Sequence, residues 1–230
     1  TELHQRAEAL SALLRARVAM GDEAGEEEEL AIREMAASVE ELESLIETLQ
    51  GLEAQLEGAT RILALRLLAE RAAAQAGTRE VAIQAYEKLL EVDPADLPAL
   101  QGLHALYRVA ERWSDLYKLN VKLAAVAGEK ADQTRHWREA GRLAEERLED
   151  FTLAAEAHRR VVEIDPEDAE SSRVLDRLYQ KLGRREDLAW VLDLQRRAAS
   201  TDDRKRDITF RLAELMRESA KPAEAIELYG

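Results

Sequence analysis

The sequence predicts an all-α protein, a right-handed α-solenoid of antiparallel helix hairpins. The first supporting observation is composition: only 10 Gly and 4 Pro occur in 230 residues, and aromatic residues make up 4%. Ala, Leu, Glu and Arg, all good helix formers, dominate instead. The second is an internal repeat, and the third is a helical spacing of apolar residues within each copy. Together they predict more than 70% helix and about a dozen helices.

The chain contains a long internal repeat. The segment AIQAYEKLLEVDP at 82–94 aligns with AAEAHRRVVEIDP at 154–166, and 105–120 aligns with 177–192. A third copy begins at residue 213. Each 72-residue block has room for two helix pairs, so one unit is a single helix pair of about 36 residues. A single helix hairpin cannot bury its apolar face alone, so neighbouring hairpins must stack.

One unit shows how the chain forms a hairpin. Leu65, Leu68, Ala69 and Ala72 form one apolar helical stripe. Gly77-Thr78 breaks the pattern, with Thr78 as the predicted N-cap of a second helix that carries apolar residues from Val81 to Val92. Asp93-Pro94 ends that helix, because proline disfavours helical geometry in the residue before it.

These units resemble tetratricopeptide (TPR) repeats. With Pro94 and Pro166 at the closing proline, units start near residues 63, 97, 135, 169 and 206, and the last is truncated. The small residue of the second helix matches at Ala82, Ala154 and Ala225. The aromatic position matches at Tyr86 and Tyr229, and His158 replaces it in the middle copy. Units two and four depart from the pattern, since they carry Leu116 and Leu188 at the small position and lack the closing proline.

The chain divides by composition into two predicted parts. Residues 1–60 hold 15 acidic and 4 basic residues and are predicted to be acidic N-terminal helices, a degenerate repeat or a capping hairpin. Residues 61–230 form the TPR-like array. Ser38 and Glu41 read as a capping box, which makes 26–57 a hairpin broken at Ala37–Ser38, with one continuous helix as the alternative. The acidic run Glu26–Glu29 is interpreted as the first turn of a helix rather than a calcium site.

Charge and composition exclude several classes of function. A net charge of -14 argues against non-specific binding to nucleic acid or to anionic membranes. No apolar run is long enough to span a bilayer, and the absence of cysteine excludes disulfides and thiolate chemistry. We expect a cytoplasmic protein, although the ends of this chain do not report on targeting.

No residue pattern predicts catalysis, a cofactor or a metal site. The sequence contains no phosphate-binding, dinucleotide-binding, zinc-protease or nucleophile-elbow motif. The four histidines are not spaced as paired ligands on one helix face. Trp113 and Trp190 are interpreted as packing residues rather than as a ligand cage. The chain is therefore predicted not to be an enzyme.

The resemblance implies where a partner binds. In TPR arrays the first helices of the hairpins line a concave groove. Carrying those positions over gives the expected partner-binding residues Arg71, Gln101, Arg108, His136, Arg173, Arg177, Lys181 and Arg217. Arg173, Arg177 and Lys181 are spaced as one stripe of a helix. Such a stripe predicts a protein or peptide partner that is acidic or ends in a carboxylate, with simple solvation of these charges as the alternative.

Two classes of function fit this sequence. The first is a protein–protein interaction scaffold that binds a peptide or protein in the groove. The second is a structural spacer or oligomerisation segment of a larger multidomain protein, in which the acidic N-terminal hairpin packs on another copy. Light scattering at two concentrations separates these alternatives, because self-association depends on concentration.

Overall fold

A computed structural model of the protein describes residues 2–21, 25–39 and 41–218. Helices make up 86% of the described residues, which contain no β-strand, as the sequence predicted. The chain divides into two compact units at Glu111–Arg112. The positions expected at Ala225 and Tyr229 lie outside the described residues.

The described residues of the first unit form six α-helices: α1 Glu2–Met20, α2 Glu26–Ser38, α3 Leu42–Leu52, α4 Gly58–Ala73, α5 Arg79–Val92 and α6 Leu97–Val109. Helix α1 packs on α2, α3 and α4, and α5 packs on both α4 and α6. Short 3-10 turns follow α3 at Glu53–Gln55 and precede α5 at Ala76–Thr78.

Up to Glu218, where the described part of the second unit ends, there are six more: α7 Trp113–Val126, α8 Lys130–Glu146, α9 Phe151–Ile164, α10 Ala169–Leu182, α11 Arg185–Ala198 and α12 Asp202–Glu218. Each of these helices packs on the next. Helices α8 to α11 begin at the positions that the sequence repeat aligns with the first residues of α4 to α7, and α12 begins at the position aligned with the first residue of α8. The repeat found in the sequence therefore sets the helix boundaries.

The predicted hairpin positions are buried. Ala82 and Ala154 are fully buried, and Tyr86 and His158 are each less than a tenth exposed. Helices α5 and α9 end at Val92 and Ile164, just before the Asp-Pro pairs. One stripe position is wrong: Val92 is 44% exposed, because it lies in the last turn beyond the packed part of α5.

The segment 26–57 forms two helices, α2 and α3, rather than one continuous helix. They are not the predicted hairpin, because each packs mainly on α1 and α4 rather than on the other. The predicted capping box is also wrong, because Ser38 ends α2 and its hydroxyl donates to the Met35 carbonyl at 2.7 Å. The break is the extended, fully buried residue Val39. Guanidinium groups hold it from two sides: Arg6 donates to the Ser38 carbonyl at 2.8 Å, and Arg71 donates to the Val39 carbonyl at 3.1 Å.

The acidic run opens α2, as predicted. Glu26 to Glu29 form its first turn, and the backbone N–H of Gly25 donates to Glu28 Oε2 at 2.8 Å. Hydrogen bonds from the backbone N–H groups of Glu28 and Gly25 hold the pKa of the Glu28 carboxyl below its usual value. These acids complement the helix dipole.

Thr78 is the N-cap residue of α5, as predicted, but its hydroxyl does not bind a backbone N–H group of that helix. Thr78 precedes α5, yet its hydroxyl donates backwards to the carbonyl of Ala72 at 2.8 Å. It thereby satisfies a carbonyl at the end of α4, one of the groups that a helix C-terminus leaves without an internal partner.

Candidate functional site

The second unit contains an open groove between α8 and α10. Its cavity has a volume of about 440 Å³, and the ring of His158 from α9 lies at its base. Both helices contribute charged groups of both signs. The lining residues are Arg135, Arg138, Glu139, Arg142, Glu145, Glu146, His158, Glu170, Val174 and Arg177.

An ion pair fixes the entry of α10 against α8. Arg138 donates to Asp168 Oδ2 at 2.5 Å, while Asp168 Oδ1 caps α10 by accepting the N–H of Ser171 at 2.7 Å. Burial alone would raise the pKa of Asp168, but the hydrogen bonds from Ser171 and Arg138 outweigh it and hold this pKa below its usual value. The same arrangement occurs in the preceding copy of the repeat, where Arg66 pairs with Asp96, the N-cap of α6.

Charges in the groove are layered by exposure. Arg142 pairs with Glu139, and Arg177 binds Glu145 through both of its terminal nitrogens, at 2.5 and 2.8 Å. The two arginine side chains are 58% and 60% exposed, whereas the two glutamates are 20% and 19% exposed. The guanidinium groups therefore present themselves to solvent, with their carboxylates underneath.

The base of the groove carries a histidine that is kept neutral. His158 is 6% exposed, and its Nδ1 lies 3.1 Å from the hydroxyl of Ser171. Burial lowers the pKa of the imidazole, against the opposing pull of Glu145, Glu170 and Asp168. At neutral pH the ring is an uncharged polar surface beneath the arginines.

The predicted residues of the second unit do not line one cavity. Arg177 lines the groove. Arg173, one turn earlier on α10, lines a different cavity that faces α11 and α12. Lys181 lies over the ring of Phe151, 3.2 Å from its centroid, and Arg217 pairs with Glu214. His136 on α8 is half-buried, with its Nδ1 3.1 Å from Oδ1 of the buried Asn120.

The remaining predicted residues belong to the first unit. Arg71 is half-buried at the Val39 carbonyl, where it supports the break between α2 and α3. Gln101 and Arg108 are exposed on α6. The stripe expected on α10 follows the helix, but its members face different surroundings: Arg177 faces the groove toward α8, and Arg173 faces the cavity toward α11 and α12.

Sequence reasoning missed Arg138, Arg142 and Glu145. A signal for Arg138 was present, because Arg66 and Asp96 recur as Arg138 and Asp168 in the next copy of the repeat. A charged pair that recurs at the same position of two copies indicates a role in the fold of both. Arg142 and Glu145 have no such signal, since exposed charges are common on helices.

Trp113 and Trp190 are half-buried, and an arginine lies over each ring. The guanidinium of Arg147 lies 4.7 Å from the centroid of Trp113, and that of Arg159 lies 4.6 Å from the centroid of Trp190. Trp190 also packs against the buried core of the second unit, in agreement with its interpretation as a packing residue.

Within the part of the chain that the structure describes, no group of three or more His, Cys, Asp or Glu side chains is placed to hold a metal ion. None of the helices described there combines the length and apolar character needed to cross a membrane.

Solved structures similar to this chain include TPR proteins. YrrB, a TPR protein with an unusual peptide-binding site, is 18% identical, with 82% of this chain and 90% of YrrB covered and a TM-score of 0.37. A TPR protein from Parabacteroides merdae is 16% identical, with 97% and 77% covered and a TM-score of 0.39. MamA is 14% identical, with 73% and 87% covered and a TM-score of 0.38.

No protein-family model matches the sequence, and neither does any curated protein.

Proposed function

We propose that this chain is a protein–protein interaction scaffold, and that its second unit binds a protein or peptide segment in the groove between α8 and α10. The observation that carries the proposal is the open cavity of about 440 Å³ with exposed guanidinium groups on both of its walls. Its volume is within the range of about 300–1,000 Å³ that is usual for ligand sites. The chain acts by binding rather than by catalysis.

Because the arginines of the groove are more exposed than the glutamates that they bind, we favour a partner segment that carries an acidic side chain or a free carboxylate. Arg142 and Arg177 hold their glutamates on the inner side, and each guanidinium has further N–H groups that point away from that bond. A partner carboxylate can therefore add to each pair without breaking it. Glu146 and Glu170 are exposed at the margins of the groove, which favours a basic residue beside the acidic one.

His136 and Lys181 extend the proposed contact surface beyond the cavity on α8 and α10. In the first unit, Gln101 and Arg108 on α6 remain proposed contacts for the same class of partner. Exposed charge pairs contribute only about 0–1 kcal/mol each, so we expect the charge dependence to be strongest in the association rate.

The test is a peptide selection followed by a charge reversal. A random peptide library is selected on the full chain, and the affinities of the enriched peptides are measured by fluorescence anisotropy at two salt concentrations. The groove variant carries Arg142→Glu and Arg177→Glu. We expect acidic or carboxylate-dependent peptides to be enriched and their affinity to fall about tenfold or more, since charge reversal replaces attraction with repulsion.

The matched control carries Arg197→Glu and Arg206→Glu, which change the net charge equally at side chains that are 71% and 80% exposed and lie outside the groove. We expect its affinity to stay within about twofold of the parent. A neutral variant, Arg142→Gln with Arg177→Gln, and thermal melting of all variants separate binding from folding. Equal losses in the groove and control variants, or enrichment of peptides without acidic groups, would overturn the proposal.

A further inference from the structure

A second cavity lies on the other side of α10. It has a volume of about 200 Å³ between the start of α10, the end of α11 and the first turn of α12. Glu170, Val174 and Arg177 face the groove, whereas Ala169, Ser172 and Arg173 face this cavity. The side-chain amide of Gln195 donates to the Ser172 carbonyl at 2.9 Å and ties the α11 wall to α10.

Two arginines line this cavity without a partner of their own. Among the described residues, the guanidinium groups of Arg173 and Arg204 form no ion pair, hydrogen bond or ring contact. Every other described arginine of the second unit has such a partner. They are Arg112, Arg135, Arg138, Arg142, Arg147, Arg159, Arg160, Arg177, Arg184, Arg185, Arg196, Arg197, Arg206, Arg211 and Arg217.

Both of these guanidinium groups line the same cavity, although the chain has a net charge of -14. The cavity is therefore a place where an external anion can bind. Glu167 also lines the cavity, so its ionisable groups carry a net charge of +1. This balance matches a monoanion. A phosphate group brings about -1.5 to -2 charges at pH 7 and would leave the site negative.

The other lining residues and the size of the cavity restrict the kind of molecule that can bring the anionic group. Pro166, Ala169, Ala198 and Ala199 give it a small aliphatic wall. A volume of about 200 Å³ is below the range of about 300–1,000 Å³ that is usual for larger ligands. We infer that this cavity binds one carboxylate on a small aliphatic group, such as the terminal residue of a peptide, held between Arg173 and Arg204.

This site goes beyond the groove proposal, since it uses other residues and a different face of α10. The test uses the ¹⁵N-labelled full chain and follows the Nε–Hε signals of its arginines by nuclear magnetic resonance. N-acetylalanine is the probe, and N-acetylalaninamide is its neutral twin. We expect saturable shifts at Arg173 and Arg204 with the acid, and none with the amide. The paired Arg197 and Arg206 serve as internal controls.

Either Arg173→Gln or Arg204→Gln should weaken binding of N-acetylalanine about tenfold, because each removes a charge-assisted hydrogen bond. Arg206→Gln should leave the affinity unchanged. The groove variant with Arg142→Glu and Arg177→Glu should also leave it unchanged, so failure of the groove proposal and failure of this site are distinguishable.

A hexapeptide that ends in alanine with a free carboxylate identifies the source of the ligand. Tighter binding than that of N-acetylalanine assigns the site to a chain terminus, and equal binding assigns it to a free acid; both results support a carboxylate site. Linear shifts that do not saturate, equal shifts with the amide, or saturation by inorganic phosphate but not by the carboxylate overturn the inference.

Discussion

The imidazole of His158 lies so close to Gly141 that a methyl group on Gly141 would come within 2.6 Å of the ring. This contact joins α9 to α8. In the preceding copy, Tyr86 occupies the position of His158, yet its ring lies against Gly102 of α6 instead, with the same 2.6 Å spacing. Each ring leans toward the neighbouring helix that carries a glycine.

The reason lies in which residues share the aligned positions. Ala69 stands where the second copy has Gly141, and Val174 stands where the first copy has Gly102. A ring cannot pack closely against a helix backbone where a side chain already fills that space. The ring at the aromatic position therefore packs against whichever of its two neighbouring helices carries the glycine.

The first prediction concerns Gly141→Ala. Alanine favours the helix by about 1 kcal/mol, but overpacking costs about 1–3 kcal/mol, so we expect a net loss of stability of up to about 2 kcal/mol. Urea unfolding measures it. In a His158→Ala background the same substitution should become neutral or stabilising, because the clash is gone.

Gly51→Ala is the matched control. Gly51 lies within α3, and a Cβ there would have no neighbour within 4 Å. This substitution should stabilise the protein by about 0.5–1 kcal/mol. If Gly141→Ala destabilised the parent and the His158→Ala background equally, the contact with the ring would not be the cause.

The second prediction concerns pH. Burial keeps the pKa of His158 below its value of 6.5 in the unfolded chain, with Glu145, Glu170, Asp168 and Arg177 as its charged neighbours. As pH falls below about 6.5, the unfolded chain takes up a proton that the folded protein does not, so stability falls. Above about pH 7 both states are neutral, and His158 contributes no pH dependence.

His158→Gln removes this titration and keeps a polar side chain. Unfolding free energies of the parent and the variant, measured between pH 7 and pH 5, should therefore converge or cross in the variant's favour as pH falls. The slope of their difference is at most about 1.4 kcal/mol for each pH unit. Parallel curves would show that the imidazole is not held neutral by burial.

The third prediction concerns Ala154, the small residue in the second helix of its repeat unit. Ala154 on α9 is fully buried, so Ala154→Phe should cost about 1–3 kcal/mol by overpacking. Ala131→Phe is the control, because Ala131 is exposed on α8. Thermal melting measures both. An unchanged melting temperature in Ala154→Phe would contradict the close packing of α9.

The fourth prediction concerns the bond between Arg138 and Asp168. Asp168→Ala removes the cap of α10 and the partner of Arg138 together, which should cost about 1–3 kcal/mol. Asp168→Asn should cost less, since the amide oxygen can still accept the N–H of Ser171. Denaturant unfolding of Asp203→Ala, at a side chain that is 95% exposed, should show a change within about 0.5 kcal/mol. A smaller loss for Asp168→Ala than for Asp168→Asn would contradict the capping role.

The sequence by itself determined the helices and their period. Ala82 and Ala154 are buried, and α5 and α9 end before the Asp-Pro pairs, because apolar spacing and proline act within a single helix. Predictions of helix caps were less reliable, because a hydroxyl group can bind any of several nearby backbone groups. The hydroxyls of Ser38 and Thr78 both bind carbonyls at the end of the preceding helix rather than capping the next one.

Only the tertiary structure decided which charges meet. Arg173 and Arg177 are one turn apart on α10, yet one lines the cavity toward α12 and the other pairs with Glu145 on α8. The spacing of residues along a helix specifies a direction from its axis, but the partner in that direction belongs to another segment of the chain. Likewise, Tyr86 and His158 align in sequence but lean toward different helices, because the free space beside each ring depends on the side chains that distant residues contribute.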